Sequence, residues 1–325
     1  MNVRIGVALS SGGAAGLAHI GVLEELVAAG VEIQCVAGTS AGAMVGAAFA
    51  SGRLEEFRDR MMTWSRKRRV SLFDPIWPRN GLLGGRRAME MLGPCAGGMI
   101  EDLPLRYAAV ATDLDSGRLV VLRSGDVREA IRASIAIPGV FAPQLWNGRR
   151  LVDGALLDPI PVAPTRALGA TFIIAVSVIG DGSTLAIRRV DDPSPARLRN
   201  FLARVWRSGR APERAGAAAD SGGDDNGAAV EHSDGLAAIL CKASLVVQAT
   251  IAASRLRESP PDCLIAPAAH DIGAFEVHRA SEAIEAGRAA AREALPGLLG
   301  AIEAARNEAR SWWNVRVGAS DRDAA

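Results

Sequence analysis

Val36-Ala37-Gly38-Thr39-Ser40-Ala41-Gly42-Ala43-Met44 decides how this chain is read. An apolar run ends at Ala37, small residues follow from Ala43, and a Gly-x-Ser-x-Gly pattern lies between. A strand that stops here, a corner at Ser40 and a helix from Ala41 would lift the Ser40 hydroxyl out of a sheet and over a helix N-terminus. Gly38 and Gly42 suit such a corner, because a sharp strand-to-helix reversal leaves no room for bulky Cβ groups beside it. A five-residue match arises often by chance, so the flanking sequence has to carry the assignment.

Val3 to Leu9 has the length and character of a strand and stops at Ser10-Ser11-Gly12-Gly13-Ala14-Ala15-Gly16. From Leu17 to Ala29 the apolar residues Leu17, Ile20, Leu23, Leu26 and Val27 recur at three and four, which predicts a helix stopped by Gly30. Val31 to Ala37 is again strand-like, and Ala41 to Ser51 reads as a helix closed by Gly52. Strand, helix, strand, helix predicts right-handed crossovers and a parallel sheet. Parallel strands end at one edge, so the amides of Gly12 and Gly13 are expected to face Ser40 as an oxyanion hole. A dinucleotide cradle would instead need Gly-x-Gly-x-x-Gly, whereas the register here is Ser11, Gly13, Gly16.

Further on, Leu105 to Ala111 and Arg118 to Leu122 read as strands around the turn Asp113 to Gly117, and Val127 to Ala136 as a helix ending before Pro138. Arg149 to Val152 then leads into Asp153-Gly154-Ala155. A carboxylate there could reach a nucleophile from a neighbouring strand; an Asp in an ordinary turn is the other reading. Thr171 to Val178 suits a central strand covered on both faces. Ser208 to Gly235 reads as a flexible insertion, Leu236 to Arg257 as a long buried helix, and Gly297 to Trp313 as a last helix before a tail, 315–325, that frays.

The 325 residues are 49% apolar with a formal charge of +1, enough for a large core and no global nucleic-acid footprint. Cys35, Cys95, Cys241 and Cys263 lack any CxxC pairing, so neither a zinc site nor a disulfide scaffold is indicated and no metal or cofactor is expected. Met1 to Ile5 enters an apolar run with no long h-region, and no apolar stretch approaches a bilayer span, so cytoplasmic residence is expected. Two basic segments interrupt the even balance. Arg53 to Arg87 carries a local charge of +6 interleaved with Met, Trp and Phe, and Arg197 to Arg210 has no acidic residue within a basic amphipathic helix near 196–208. Each is either a solvated or core-docked element or a contact for the inner face of an anionic membrane.

Gly12-Gly13-Ala14-Ala15-Gly16-Leu17-Ala18-His19-Ile20-Gly21, Gly38 to Gly42, Ala133-Ser134-Ile135-Ala136-Ile137-Pro138-Gly139 and Asp153-Gly154-Ala155 together, in this order and spacing, resemble the bacterial patatin-like phospholipases. The resemblance runs from about Ile5 to the helix containing Glu282 to Arg288. It implies an α/β fold, a three-layer α/β/α sandwich with a mostly parallel central sheet. The catalytic core would occupy residues 5–166, with 167–310 completing the same unit. It further implies metal-free hydrolysis of lipid acyl esters by a Ser–Asp dyad through an acyl-enzyme. Carried across, Ser40 is the nucleophile, Asp153 the proton acceptor, Gly12 and Gly13 the oxyanion hole, and Gly38, Gly42 and Gly154 the elbow and turn glycines. Ser11 stands where the family motif has its first glycine and Ala15 where it has a basic residue. The alternative that this leaves open is a weak or silent lipid-binding scaffold.

A Ser–Asp–His triad would fit the chain order of Ser40, Asp153 and His270. The elbow on the second strand argues for the dyad, since triad hydrolases of the α/β-hydrolase type place several strands before the nucleophile.

Overall fold

The computed structural model describes residues 3–66, 83–179 and 236–320. Expectations for Arg197 to Arg210, the 208–235 insertion and the middle of the Arg53 to Arg87 segment fall outside those residues. Among the described residues one sheet of eight strands carries β1 (Ile5–Leu9), β2 (Ile33–Thr39), β3 (Arg106–Asp113), β4 (Arg118–Leu122), β5 (Gln144–Trp146), β6 (Arg149–Asp153), β7 (Phe172–Val176) and β8 (Cys263–Ile265). Their order is β5-β6-β3-β2-β1-β7-β8, with β4 also against β3. Neighbours among β3, β2, β1, β7 and β8 pair in parallel, while β4 and β6 run antiparallel to β3 and β5 runs antiparallel to β6. The strands on either side of residue 166 join one sheet.

Alternation along the strands divides the interior into two layers. Val7, Leu9, Phe172, Ile174 and Val176 face the larger cluster with α1 (Ala18–Ala28), α2 (Ala41–Ala50), α3 (Leu54–Arg66), α4 (Arg86–Leu92) and α5 (Val127–Ser134). Ala8, Cys35, Ile173 and Ala175 face the smaller one, with α6 (Val162–Ala167) and α7 (Leu236–Glu258). Helices therefore cover both faces, giving the sandwich expected from the alternating strands and helices.

The last helix, α8 (Ala280–Ser320), lies against α1. The approach is close: a Cβ on Gly21 would fall 2.0 Å from Ile284 O, and one on Gly287 1.9 Å from Ala18 O. Glu24 and Glu25 of α1 pair with Arg288 and Arg292 at 2.7 Å each. Sequence alone predicts a separate helix from Gly297. Instead Pro296 lies inside one continuous helix, whose buried residues Ala283, Ile284, Ala291, Leu298 and Ile302 carry the same core contact past the proline. Among the described residues no helix is long and apolar enough to cross a membrane.

Candidate active site

β2 ends at Thr39 and α2 begins at Ala41, leaving Ser40 at the corner with φ 55° and ψ −117°. Such a backbone is costly for a residue with a side chain and persists only where its surroundings hold it. Ser134, at the end of α5, does so. Its fully buried hydroxyl accepts from the Ser40 amide at 2.8 Å and donates to Val110 O of β3 at 2.6 Å. The elbow glycines meet backbone directly: a Cβ on Gly38 would fall 2.2 Å from Gly42 O, and one on Gly42 would fall 2.3 Å from Leu9 O. The corner therefore abuts the end of β1.

Strand register brings Asp153 to the same place. Thr39 is level with Val110 in the parallel pair, and the next β3 residue, Ala111, is level with Asp153 in the antiparallel pair. β4 occupies one edge of β3 along Ala109 to Asp113, so β2 and β6 share the other edge, β6 beginning its pairing where β2 stops. The tip of β6 thus points at the tip of β2. Asp153 is not on a strand that pairs with β2; it arrives along the extension of the strand between them. Gly154 permits this, since a Cβ there would lie 2.3 Å from Val110 O.

Ser40 Oγ donates to Asp153 Oδ2 at 2.8 Å, with the two residues 6% and 5% exposed. Asp153 Oδ1 accepts from the Ala155 amide at 2.8 Å, which orients the carboxylate, and the Asp153 amide donates to Ala136 O at 3.0 Å. Burial pushes the Asp153 carboxyl up to about 6, against the lowering effect of the Ala155 amide and the Ser40 hydroxyl. Five residues on, Asp158 is 3% exposed and burial pushes it up to about 7, with Arg255 lowering it and Glu258 raising it. Its carbonyl accepts from Thr39 Oγ1 at 2.8 Å.

The glycine loop lies on the other side of the elbow, where a Cβ on Gly16 would come 2.4 Å from Ala41 Cβ. Its amides are pinned around the two expected donors: Ser10 N–H to Val176 O at 3.0 Å, Ser11 N–H to Pro159 O at 2.9 Å and Ala14 N–H to Ala274 O at 2.9 Å. Gly12 and Gly13, at the N-terminal end of a short 3-10 turn, donate to no acceptor among the described residues. Gly13 has φ 58°, and a Cβ there would fall 2.6 Å from Ala274. His19 fixes the base of the loop. Fully buried and with its pKa lowered by burial to about 4, it is neutral, and Nε2–H donates to Ser10 O at 2.9 Å.

Ser40, Asp153 and the glycine loop therefore meet at one edge of the sheet. His270 stands exposed in a turn after β8, and among the described residues no cluster of His, Cys, Asp or Glu could hold a metal ion. Sequence alone assigns no bracing role to Ser134 or Ala274. Ser134 sits in a motif quoted above, so its spacing was a usable signal; Ala274 offers none.

A parallel-centred sandwich with a strained serine corner and a buried carboxylate is the architecture of a patatin-like α/β protein. Residues 7–166 match the family described as patatin-like phospholipase, so the chain carries a patatin-like phospholipase domain over that stretch. It is 43% identical over 209 residues to an uncharacterized NTE family protein of Mycobacterium tuberculosis, covering 63% of this chain and 56% of that one. It is 32% identical over 212 residues to lysophospholipase NTE1 of Yarrowia lipolytica, covering 62% of this chain and 14% of that one. The alignment thus spans about half the length of the mycobacterial relative and a small part of the yeast one. Among solved structures, VipD from Legionella pneumophila superposes with a TM-score of 0.35 at 14% identity, covering 79% of this chain and 67% of that chain.

Proposed function

We propose that this chain hydrolyses acyl esters of lipids, with Ser40 as nucleophile and Asp153 as its base. The observation that carries the reading is the 2.8 Å hydrogen bond between the two buried groups. As Ser40 Oγ attacks the ester carbonyl carbon, its proton passes to Asp153 Oδ2, and the carbonyl oxygen becomes an oxyanion. The amides of Gly12 and Gly13 receive that charge, each donor lowering the barrier by about 2.7 to 4 kcal/mol. Collapse breaks the bond to the leaving alcohol, which takes the proton from Asp153. Water then attacks the acyl-enzyme, Asp153 accepts its proton, and Ser40 regains one as the fatty acid leaves. Burial supports this role by raising Asp153 to about 6, close enough to neutrality for effective proton transfer.

The name of the yeast relative favours a monoacyl phospholipid as substrate. Membrane contact through Arg53 to Arg87 or Arg197 to Arg210 belongs to the same proposal. The test is release of fatty acid from lysophospholipid by the wild-type protein and by Ser40→Ala. Loss of at least about a thousandfold in the variant is expected. Unchanged release by Ser40→Ala would remove the mechanism, and no release by the wild type would favour the silent lipid-binding scaffold suggested by Ala15.

A further inference from the structure

The glycine loop and the Asp153 turn are tied together from outside the sheet by one helix, α7. Gln248 Oε1 accepts from Ser11 Oγ at 2.8 Å, and Gln248 Nε2 donates to Ser244 Oγ at 3.0 Å. Arg255 Nε donates to Leu157 O, just beyond Asp153, at 3.0 Å. Seven residues apart, Gln248 and Arg255 project from the same face of a helix about 10 Å from each other. Between them Ala252 is fully buried in the cluster with Ala8, Cys35 and Ile160, so the helix is seated on the sheet while its two arms reach the two loops. The loops also touch each other, through Ser11 N–H and Pro159 O at 2.9 Å. A glycine at position 11 would offer the amide but no hydroxyl, so the Ser11 side chain acquires a purpose in its bond to α7.

We propose that α7 is a clamp across the active site, with Gln248 and Arg255 as positioning residues. Gln248 holds the glycine loop through Ser11, and Arg255 holds the turn that carries Asp153. Because one rigid helix bears both, the oxyanion amides and the base keep a fixed separation about the same carbonyl. The inference rests on the hydrolase reading above, and Ser11 and Gln248 are expected to act as a unit.

The experiment compares wild type with Ser11→Ala, Gln248→Ala, the double variant and Arg255→Ala in the full chain. Each single change is expected to lower kcat by about tenfold with KM held within about twofold. The Ser11→Ala/Gln248→Ala pair should be no slower than either single variant. Hydrogen exchange reads the clamp without reference to activity: amides at 10–14 should exchange faster in Ser11→Ala and Gln248→Ala, and those at 154–158 faster in Arg255→Ala. Multiplying losses in the double variant, a KM effect alone, or exchange unchanged from wild type would each overturn the clamp. If Ser40→Ala retains full activity, or the wild type hydrolyses nothing, the hydrolase reading fails, and the exchange rates alone decide whether the clamp exists.

Discussion

The two halves of the site are held in different ways. The Ser40–Asp153 half is a product of the sheet: β2 and β6 take successive stretches of one edge of β3, and Ser134 and Gly154 lock both strand tips to Val110. The glycine-loop half is held by segments remote in the chain, with Ala274, Gln248 and Val176 all bonded to residues 10–14. Backbone register is cooperative with the whole fold, whereas a loop propped by other loops can shift with little global cost. Damage to the supports of the first half should therefore cost stability as well as rate, and damage to the supports of the second chiefly rate.

The largest effect is expected where a side chain is forced between strands. Gly154→Ala puts a Cβ 2.3 Å from Val110 O and should cost about 3 to 5 kcal/mol or prevent folding. Gly13→Ala meets a loop instead, at Ala274; with a left-handed backbone at φ 58° it should cost only about 1 to 2 kcal/mol while nearly abolishing turnover. Equal melting-temperature losses in the two variants would erase the contrast.

Ser134→Ala leaves the Ser40 amide and the Val110 carbonyl without their buried partner. A stability loss of about 2 kcal/mol in chemical denaturation is expected, with an activity loss of about 10- to 100-fold as the corner relaxes. Full activity in this variant would show that the corner is held by its glycines alone.

A subtler effect concerns Asp158, raised from 3.8 to about 7. The folded protein keeps that proton to higher pH than the unfolded chain does. Stability therefore falls as pH rises from about 4 to 7 and levels off above. Asp158→Asn removes this slope, so the variant should gain on wild type by about 2 to 3 kcal/mol between pH 5 and pH 8. Asp153 contributes a similar slope ending near pH 6 in both proteins, which cancels in the difference. A difference independent of pH would mean that Asp158 titrates normally.

The same division explains what could be read in advance. Strand ends, the elbow and the glycine loop are local patterns of apolar runs and small residues, and they place β1, α1, β2 and α2 to within two residues at each end. The Ser40–Asp153 pairing was legible only by resemblance, because Asp153 reaches Ser40 through an antiparallel strand that takes over an edge from β2, and no local pattern encodes such a handover. The supports of the glycine loop were illegible for a related reason. Gln248 and Ala274 lie more than two hundred residues from Ser11 and Ala14, in segments with no distinctive composition. Pro296 misled in the opposite sense, since a proline inside a helix that is already fixed to the core does not have to end it.

The most direct test of the central claim is inactivation by a fluorophosphonate, followed across pH in wild type and Asp153→Asn with the adduct mapped by mass spectrometry. A single adduct on Ser40 is expected. Its rate should rise as pH increases through about 6, where Asp153 ionises, and fall by orders of magnitude in the variant. Modification elsewhere, or labelling of Ser40 at a rate indifferent to Asp153, would contradict it.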